Sequence, residues 1–457
     1  MPARFHLTTL GCPKNAVDSD KIVASLLADG LAPAATPEDA DLVVLNTCAF
    51  VEAARQESID VALALRDAAP GAKLVVTGCL AERYGEELAV AMPEVDAVVG
   101  FASEPEIASI ALGVPKRKPM GVRDLLELPR PVPSVPWAYV KVAEGCDRAC
   151  AFCAIPSFRG RQRSRSVGAV LDEARTLVEG GVAELVLVAQ DLAWYGRDAG
   201  EPGALVDLLR RLDAELAPAG LARIRLLYLY PSEVHDPLVA TMLELPTVVP
   251  YFDLSLQHSA PRLLRRMKRW GSGERFLAMV DAIRRREPDA AFRSSFIVGF
   301  PGETEDDHDE LLRFLDAAQL DWAGFFPFSK EDGTPAAAMD DTVPDHLVHE
   351  WLSELDEAQS AITQAARDAL AMTQAELEVL VDGFDDNGDL MGRTHREAPE
   401  IDGLVRLVGA HARPGALIRA QAFAAEGPDL LATPMHSDAA TGRYPAEQRR
   451  ARNVGAP

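Results

Sequence analysis

Glu144-Gly145-Cys146-Asp147-Arg148-Ala149-Cys150-Ala151-Phe152-Cys153 sets three cysteines at C-x3-C-x2-C spacing, directly after the strand-like run Ala138-Tyr139-Val140-Lys141-Val142. A loop this short can turn three thiolates toward one point, and thiolates favour iron–sulfur clusters or zinc. A structural zinc site wants four ligands. No fourth cysteine lies nearby, and the nearest histidines in sequence are His6 and His235. A four-iron cluster held by three cysteines leaves one iron open to an outside ligand. The loop therefore reads as a cluster site, against the plainer readings of a zinc knot completed from a distance or three unrelated buried thiols.

Strand-like and helix-like pieces alternate outward from the loop. Strand candidates lie at 138–142, 185–189, 224–229, 252–256, 292–298 and 322–328, with helical stretches at 167–179, 204–214, 273–286 and 305–318. A complete barrel of this kind needs eight units, so six predict an open, partial (β/α)6 barrel, here assigned to 132–370. Ligands gather at the C-terminal ends of such strands. Cys146, Gln190 with Asp191, Gln257 with His258, and Gly299 fall there.

Residues 4–114 repeat the alternation on a smaller scale, with strands at 5–10, 42–45, 74–76 and 95–99 and helices at 18–29, 51–68 and 81–92. That rhythm predicts an open parallel α/β sheet. The first three of these strands each end in a cysteine: Gly11-Cys12-Pro13-Lys14-Asn15, Asn46-Thr47-Cys48-Ala49-Phe50 and Thr77-Gly78-Cys79-Leu80. In a parallel sheet these ends share one edge, and Gly11 and Gly78 let the backbone turn tightly beside the sulfurs. Singly, each cysteine reads as a small buried apolar residue. Together they predict a second three-cysteine centre, and the two sets use all six cysteines of the chain.

The C-x3-C-x2-C loop resembles that of the radical S-adenosylmethionine (radical SAM) enzymes, and the two sets in this order resemble the methylthiotransferases among them. Gly11-Cys12-Pro13-Lys14-Asn15-Ala16-Val17-Asp18-Ser19 and Asn46-Thr47-Cys48-Ala49-Phe50-Val51-Glu52-Ala53-Ala54, followed by Glu57-Ser58-Ile59, are similar to the RimO branch. The resemblance implies two 4Fe-4S clusters. One, on Cys146, Cys150 and Cys153, binds and cleaves S-adenosylmethionine. The other, on Cys12, Cys48 and Cys79, presents a methylated sulfur. The implied product is a methylthio group on the β-carbon of an aspartate in ribosomal protein S-twelve, with a flavodoxin or ferredoxin as reductant. It also implies that Phe152 packs near the adenine, that Gln190 touches the cofactor, and that Gly299, in Ile297-Val298-Gly299-Phe300-Pro301-Gly302-Glu303-Thr304, lies beside the adenosine. Their plainer roles are core packing, helix capping and a strand-to-helix turn. His258 reads as a structural histidine or a base.

The chain of 457 residues is 48% hydrophobic and 25% charged, with no apolar run of membrane length. With no export signal expected, the thiols should stay reduced and the protein cytoplasmic. Its net charge of −24 suits a basic protein partner better than nucleic-acid phosphates. Two basic clusters interrupt this acidity. Arg159, Arg161, Arg163 and Arg165 alternate after the loop, and Arg262, Arg265, Arg266, Lys268 and Arg269 follow Gln257-His258. They could hold carboxylates of S-adenosylmethionine or of a substrate aspartate, or be solvated faces.

Prolines 115, 119, 129 and 131 mark a linker over 115–131 that contains a short turn of helix. A helix at 343–372 leads out of the barrel. Short β runs at 376–381, 390–393, 403–407 and 416–423, with an Asp386-Asn387-Gly388 turn, predict a small antiparallel barrel over 373–437. It resembles the TRAM module, usually an RNA binder. Between 374 and 436, however, five arginines and no lysine face eleven acids, a net of −6. That sign repels RNA and attracts a basic ribosomal protein. Glu397-Ala398-Pro399-Glu400-Ile401-Asp402-Gly403 is similar to the RimO form of the module. The tail 438–457 is expected to be disordered. Two rival readings remain: methylthiolation of a tRNA adenosine, as in the MiaB branch, and a noncatalytic iron–sulfur protein that docks on ribosomes.

Overall fold

The computed structural model describes residues 2–114 and 125–435. The N-terminal sheet contains β1 (Arg4–Thr9), β2 (Ala32–Pro33), β3 (Leu42–Thr47), β4 (Lys73–Gly78) and β5 (Ala97–Val98), in the order β2-β1-β3-β4-β5. Every neighbouring pair is parallel. Helices α1 (Pro13–Ala28), α2 (Glu52–Ala68) and α3 (Cys79–Ala91) follow β1, β3 and β4. All six residues of β3 are buried, which is why Leu42-Val43-Val44-Leu45 form an apolar run rather than an alternation. The edge strand β2, two residues long with a proline, is too short to leave a periodic signal. α1 starts earlier than its apolar spacing suggests, because Pro13 at its first position already carries a helical φ.

The central domain contains β6 (Trp137–Lys141), β7 (Ala143–Glu144), β8 (Arg163–Ser164), β9 (Glu184–Val188), β10 (Arg223–Leu226), β11 (Tyr251–Gln257), β12 (Ala291–Val298) and β13 (Trp322–Pro327). Two three-stranded parallel sheets, β10-β9-β6 and β11-β12-β13, are joined by the parallel bridges Ile224↔Val248 and Leu229↔Leu254. They make the six-stranded open barrel that the sequence predicts. The pair β7–β8 was not foreseen. It is an antiparallel clip, Glu144 opposite Arg163, that closes the neck of the cysteine loop.

The 28-residue helix Asp345–Met372 leads to the C-terminal strands β14 (Glu376–Phe384), β15 (Leu390–Arg393), β16 (Val405–Leu407), β17 (Leu417–Glu426) and β18 (Asp429–Pro434). They close in the order β14-β15-β16-β18-β17. The sequence reading lacked β18, which pairs parallel to β16 while the other pairs are antiparallel.

Segment 394–403, between β15 and β16, enters the mouth formed by the N-terminal ends of the central strands. Tyr139 Oη donates to Pro399 O at 3.1 Å, and Tyr251 Oη to Asp402 Oδ2 at 2.6 Å. Arg225 reaches His395 O at 2.7 Å, and Trp322 Nε1 reaches Arg396 O at 2.6 Å. Ala398 packs in one cluster with Tyr139, Tyr251 and Trp322. The β-barrel module thus supplies the floor of the open barrel. The opposite mouth faces the N-terminal sheet, held there by Arg55 on Glu331 at 2.6 Å and Lys21 on Glu173 at 3.4 Å. Residues 115–124 of the linker and the tail 438–457 fall outside the described residues.

Candidate metal centres

Cys12, Cys48 and Cys79 lie just past the ends of β1, β3 and β4, which are adjacent in the sheet. The turns that bring them together require glycine. Gly11 has φ +93°, and a Cβ there would lie 2.8 Å from Cys48 Cβ. Gly78 has φ +87°, and a Cβ there would lie 2.6 Å from Thr47 N and O. Asn15, fully buried, braces the edge from beneath: its Nδ2 donates to Leu10 O and Thr47 O, each at 2.9 Å. Cys12 acts electrostatically on both Cys48 and Cys79, and Cys48 on Cys79. Burial pushes Cys79 up to about 11 against the pull of Arg159, and it raises Cys48. For Cys12 burial is outweighed by Lys14 and Arg159, which bring its pKa below the usual thiol value.

The second set is shaped by its clip. Gly145 has φ +76°, and a Cβ there would lie 2.6 Å from Gly160 O. Cys146 N donates to Gly160 O at 3.1 Å, and Ala151 N to Met267 O at 2.9 Å, which seats the loop on the barrel mouth. Burial pushes Cys146 up to about 11 and Cys153 up to about 12. Arg269 Nη1 lies 3.4 Å from Cys150 Sγ. The Tyr230 ring is held between two guanidinium groups, Arg269 at 3.8 Å and Arg148 at 3.9 Å.

A buried polar network links the two sets. Arg159, seven per cent exposed, donates to Cys79 Sγ from Nε at 3.3 Å and from Nη2 at 3.0 Å. It also reaches Asn15 Oδ1 at 2.7 Å, both Glu144 oxygens at 2.9 and 3.0 Å, and Asp18 at 3.4 Å. Lys141 bonds Glu144 at 2.6 Å and also Asp18. For Glu144, burial alone would raise the pKa; Arg159 and Lys141 overcome it and hold the carboxyl well below the usual range. Lys14 Nζ lies 3.5 Å over the Tyr228 ring, so the first motif also reaches the barrel mouth. The sequence reading missed Asp18, Lys141 and Glu144. A lysine inside the apolar run 138–142 was the available signal, because a buried lysine demands a carboxylate.

Of the first basic cluster only Arg159 enters a site, and its carboxylate partners belong to the protein. Arg165 is buried on Glu173 at 2.7 Å and Glu127 at 3.3 Å, while the Arg161 side chain is 90% exposed. In the second cluster Arg262 pairs with Asp307 and Arg266 with Asp341, leaving Arg269 at the mouth. His258 is structural: its Nδ1 accepts from Ala260 N at 3.0 Å, so Nε2 carries the proton toward Glu303 Oε1 at 3.2 Å. Phe152 packs against the cluster of Ala260, Met267 and Phe300. Gly299 has φ +78°, and a Cβ there would lie 2.5 Å from Val348. The close neighbour that calls for glycine is therefore a side chain of the long helix. Gln190 donates to Glu144 at 2.7 Å, and its Oε1 has no partner among the described residues. Ser259 Oγ and both side-chain polar atoms of Gln162 are likewise buried and unpartnered there. Such atoms are costly unless a polar ligand meets them. No three His, Cys, Asp or Glu side chains among the described residues close on a single-ion site. A four-iron cluster spreads its thiolates around a cube, and two all-thiol sets suit that group.

Comparison with known proteins divides the chain the same way. Residues 4–100 match the model described as "Uncharacterized protein family UPF0004", 140–315 the radical SAM superfamily and 375–435 the TRAM domain. The chain is 41% identical to the ribosomal protein uS12 methylthiotransferase RimO of Salinispora tropica, over 94% of this chain and 95% of that one. It is 40% identical to the protein of that name from Aquifex aeolicus, over 88% and 90%. Among solved structures, the radical S-adenosylmethionine methyltransferase TsrM of Kitasatospora setae shares the fold with TM-score 0.54 at 14% identity, covering 80% of this chain and 90% of that one. No helix among the described residues is long and apolar enough to cross a membrane.

Proposed function

The chain belongs to the RimO family of radical SAM methylthiotransferases, and on that premise we propose that it adds a methylthio group to the β-carbon of an aspartate in ribosomal protein uS12. The observation that carries this reading is the pairing of two all-cysteine sets across one buried network, at the strand ends of two facing sheets. Cys146, Cys150 and Cys153 would hold the 4Fe-4S cluster that binds S-adenosylmethionine, and Cys12, Cys48 and Cys79 the auxiliary 4Fe-4S cluster. When bound, these groups supply a hydrogen-abstracting carbon radical and a transferable sulfur.

The chain's own residues orient and enclose that chemistry. The β7–β8 clip fixes the cysteine loop over the barrel mouth, and the ion pair of Arg55 with Glu331 ties the N-terminal domain to the central one. Phe152 offers an apolar face for the adenine. Gln190 Oε1 offers an acceptor already oriented by Glu144. Gly299, at the end of β12, is proposed on the adenosine side, with its N–H committed to Glu303 at 2.6 Å. The net −6 of the C-terminal barrel favours a basic protein over tRNA. A uS12 substrate implies work in the cytoplasm, with a flavodoxin- or ferredoxin-type protein as electron source.

The test is reconstituted protein with S-adenosylmethionine, reductant and sulfide, offered uS12 and tRNA side by side. A methylthio mass gain on one uS12 aspartate is expected. The same gain on tRNA adenosine, with uS12 unchanged, overturns the assignment.

A further inference from the structure

We propose that Arg159 is a positioning residue for the auxiliary centre: its guanidinium, hydrogen-bonded to Cys79 Sγ, raises that centre's reduction potential. The inference rests on the reading of Cys12, Cys48 and Cys79 as cluster ligands. Arg159 follows the other cysteine loop in sequence, within the span bracketed by the β7–β8 clip, yet two of its three nitrogens reach Cys79, at 3.0 and 3.3 Å. The third, Nη1, alone serves both Glu144 oxygens and Asp18. Pairing the carboxylates therefore does not account for where the other two nitrogens point.

The fork cannot swing away. Glu144 and Asp18 anchor one end, Asn15 Oδ1 holds Nη2 at 2.7 Å, and the Phe101 ring stacks 4.7 Å from the guanidinium carbon. Asp18 and Glu144 are balanced in charge by Lys141 and Arg159, so the network is neutral as a whole and places its positive end at the sulfur. N–H···S bonds from a buried cation draw negative charge off a ligating thiolate. They favour the reduced cluster, which carries one more electron, and so raise its potential. Among the described residues Cys150 receives one such contact, from Arg269 at 3.4 Å.

The test uses the full chain with Cys146, Cys150 and Cys153 replaced by alanine, so that only the auxiliary cluster remains. Its midpoint is followed anaerobically, with redox mediators, by the electron paramagnetic resonance signal of the reduced cluster. Arg159→Met should move the midpoint to more negative potential. Arg159→Lys, which keeps the charge and loses the fork, should move it less in the same direction and carries the test if the methionine variant does not fold. Arg165→Lys removes an equally buried arginine that touches no sulfur and should leave the midpoint in place. An unchanged midpoint in the Arg159 variants, or an equal shift in Arg165→Lys, overturns the proposal. If the triple-alanine parent binds no iron, the ligand reading itself fails, and this proposal falls with it.

Discussion

The two mouths of the open barrel both bury ion pairs and differ in the neutral polar atoms they leave over. At the N-terminal mouth, buried charges meet opposite charges: Glu184 bonds Arg225 at 2.8 Å and Arg393 at 2.7 Å, and Arg367 bonds Glu397 at 2.7 Å. At the C-terminal mouth, the uncharged polar atoms Gln190 Oε1, Ser259 Oγ and the Gln162 amide are buried with no described partner. One end is filled by the chain itself, through the segment 394–403, and what it leaves without a hydrogen bond among the described residues belongs to charged groups such as Arg367. The other presents neutral polar atoms that a polar ligand can meet. Changes at the floor should therefore cost stability with the chemistry intact, and changes at the cysteine mouth should cost chemistry first.

The largest effect expected is at the cysteines. Cys150→Ala should abolish both cleavage of S-adenosylmethionine and methylthio transfer. Cys48→Ala should abolish transfer, keep 5′-deoxyadenosine formation, and lose about half of the bound iron, because the two sets share no ligand. Chromatography of the nucleoside beside iron analysis checks both. Equal loss of cleavage in the two variants would mean that the sets do not act separately.

At the floor, Glu184→Gln leaves Arg225 and Arg393 facing a neutral amide. Burial alone would raise the Glu184 pKa, yet the arginines bring it down to about 2. Breaking one partner of such a buried network costs about 3–5 kcal/mol. The urea midpoint should fall accordingly, while folded protein still forms 5′-deoxyadenosine. A smaller cost is expected for Gly78→Ala, roughly 1–3 kcal/mol from the positive φ, increased by the approach to Thr47. Being at the auxiliary edge, it should also lower iron content, a loss Glu184→Gln should not share.

The same contrast governs what the sequence could reveal. Helices 167–179, 273–286 and 305–318 were legible to the residue, because each buries one apolar stripe over three or more turns. The cysteine positions were legible because parallel strands put their C-termini on one edge. Short elements such as β2 and β18 gave no period to read. Arg159 could be recognised only as one basic residue among four, since its partners Asn15, Asp18 and Cys79 lie 80 or more residues away. Glu397 to Gly403 was readable as a family word, but its work as a barrel floor depends on Tyr139, Tyr251 and Trp322, contributed by three distant strands.

The smallest effect tests that floor through pH. Asp402 accepts Tyr251 Oη at 2.6 Å and Ala398 N at 2.8 Å, with Arg293 3.4 Å from its other oxygen. Burial raises its pKa to about 6, with Arg293 opposing. An unfolded aspartate titrates near about 3.9, so the folded group holds its proton more tightly. The stability this gives is complete below the unfolded pKa and is lost as pH rises through the folded one. Asp402→Asn removes the titration. Between pH 7 and pH 5 the parent should therefore gain about 1 kcal/mol relative to the asparagine variant, read as the change in the difference of their urea midpoints. A constant difference would mean that Asp402 stays ionised in the fold, held by Arg293, and that the floor, like Glu184, is an ion-paired structure throughout.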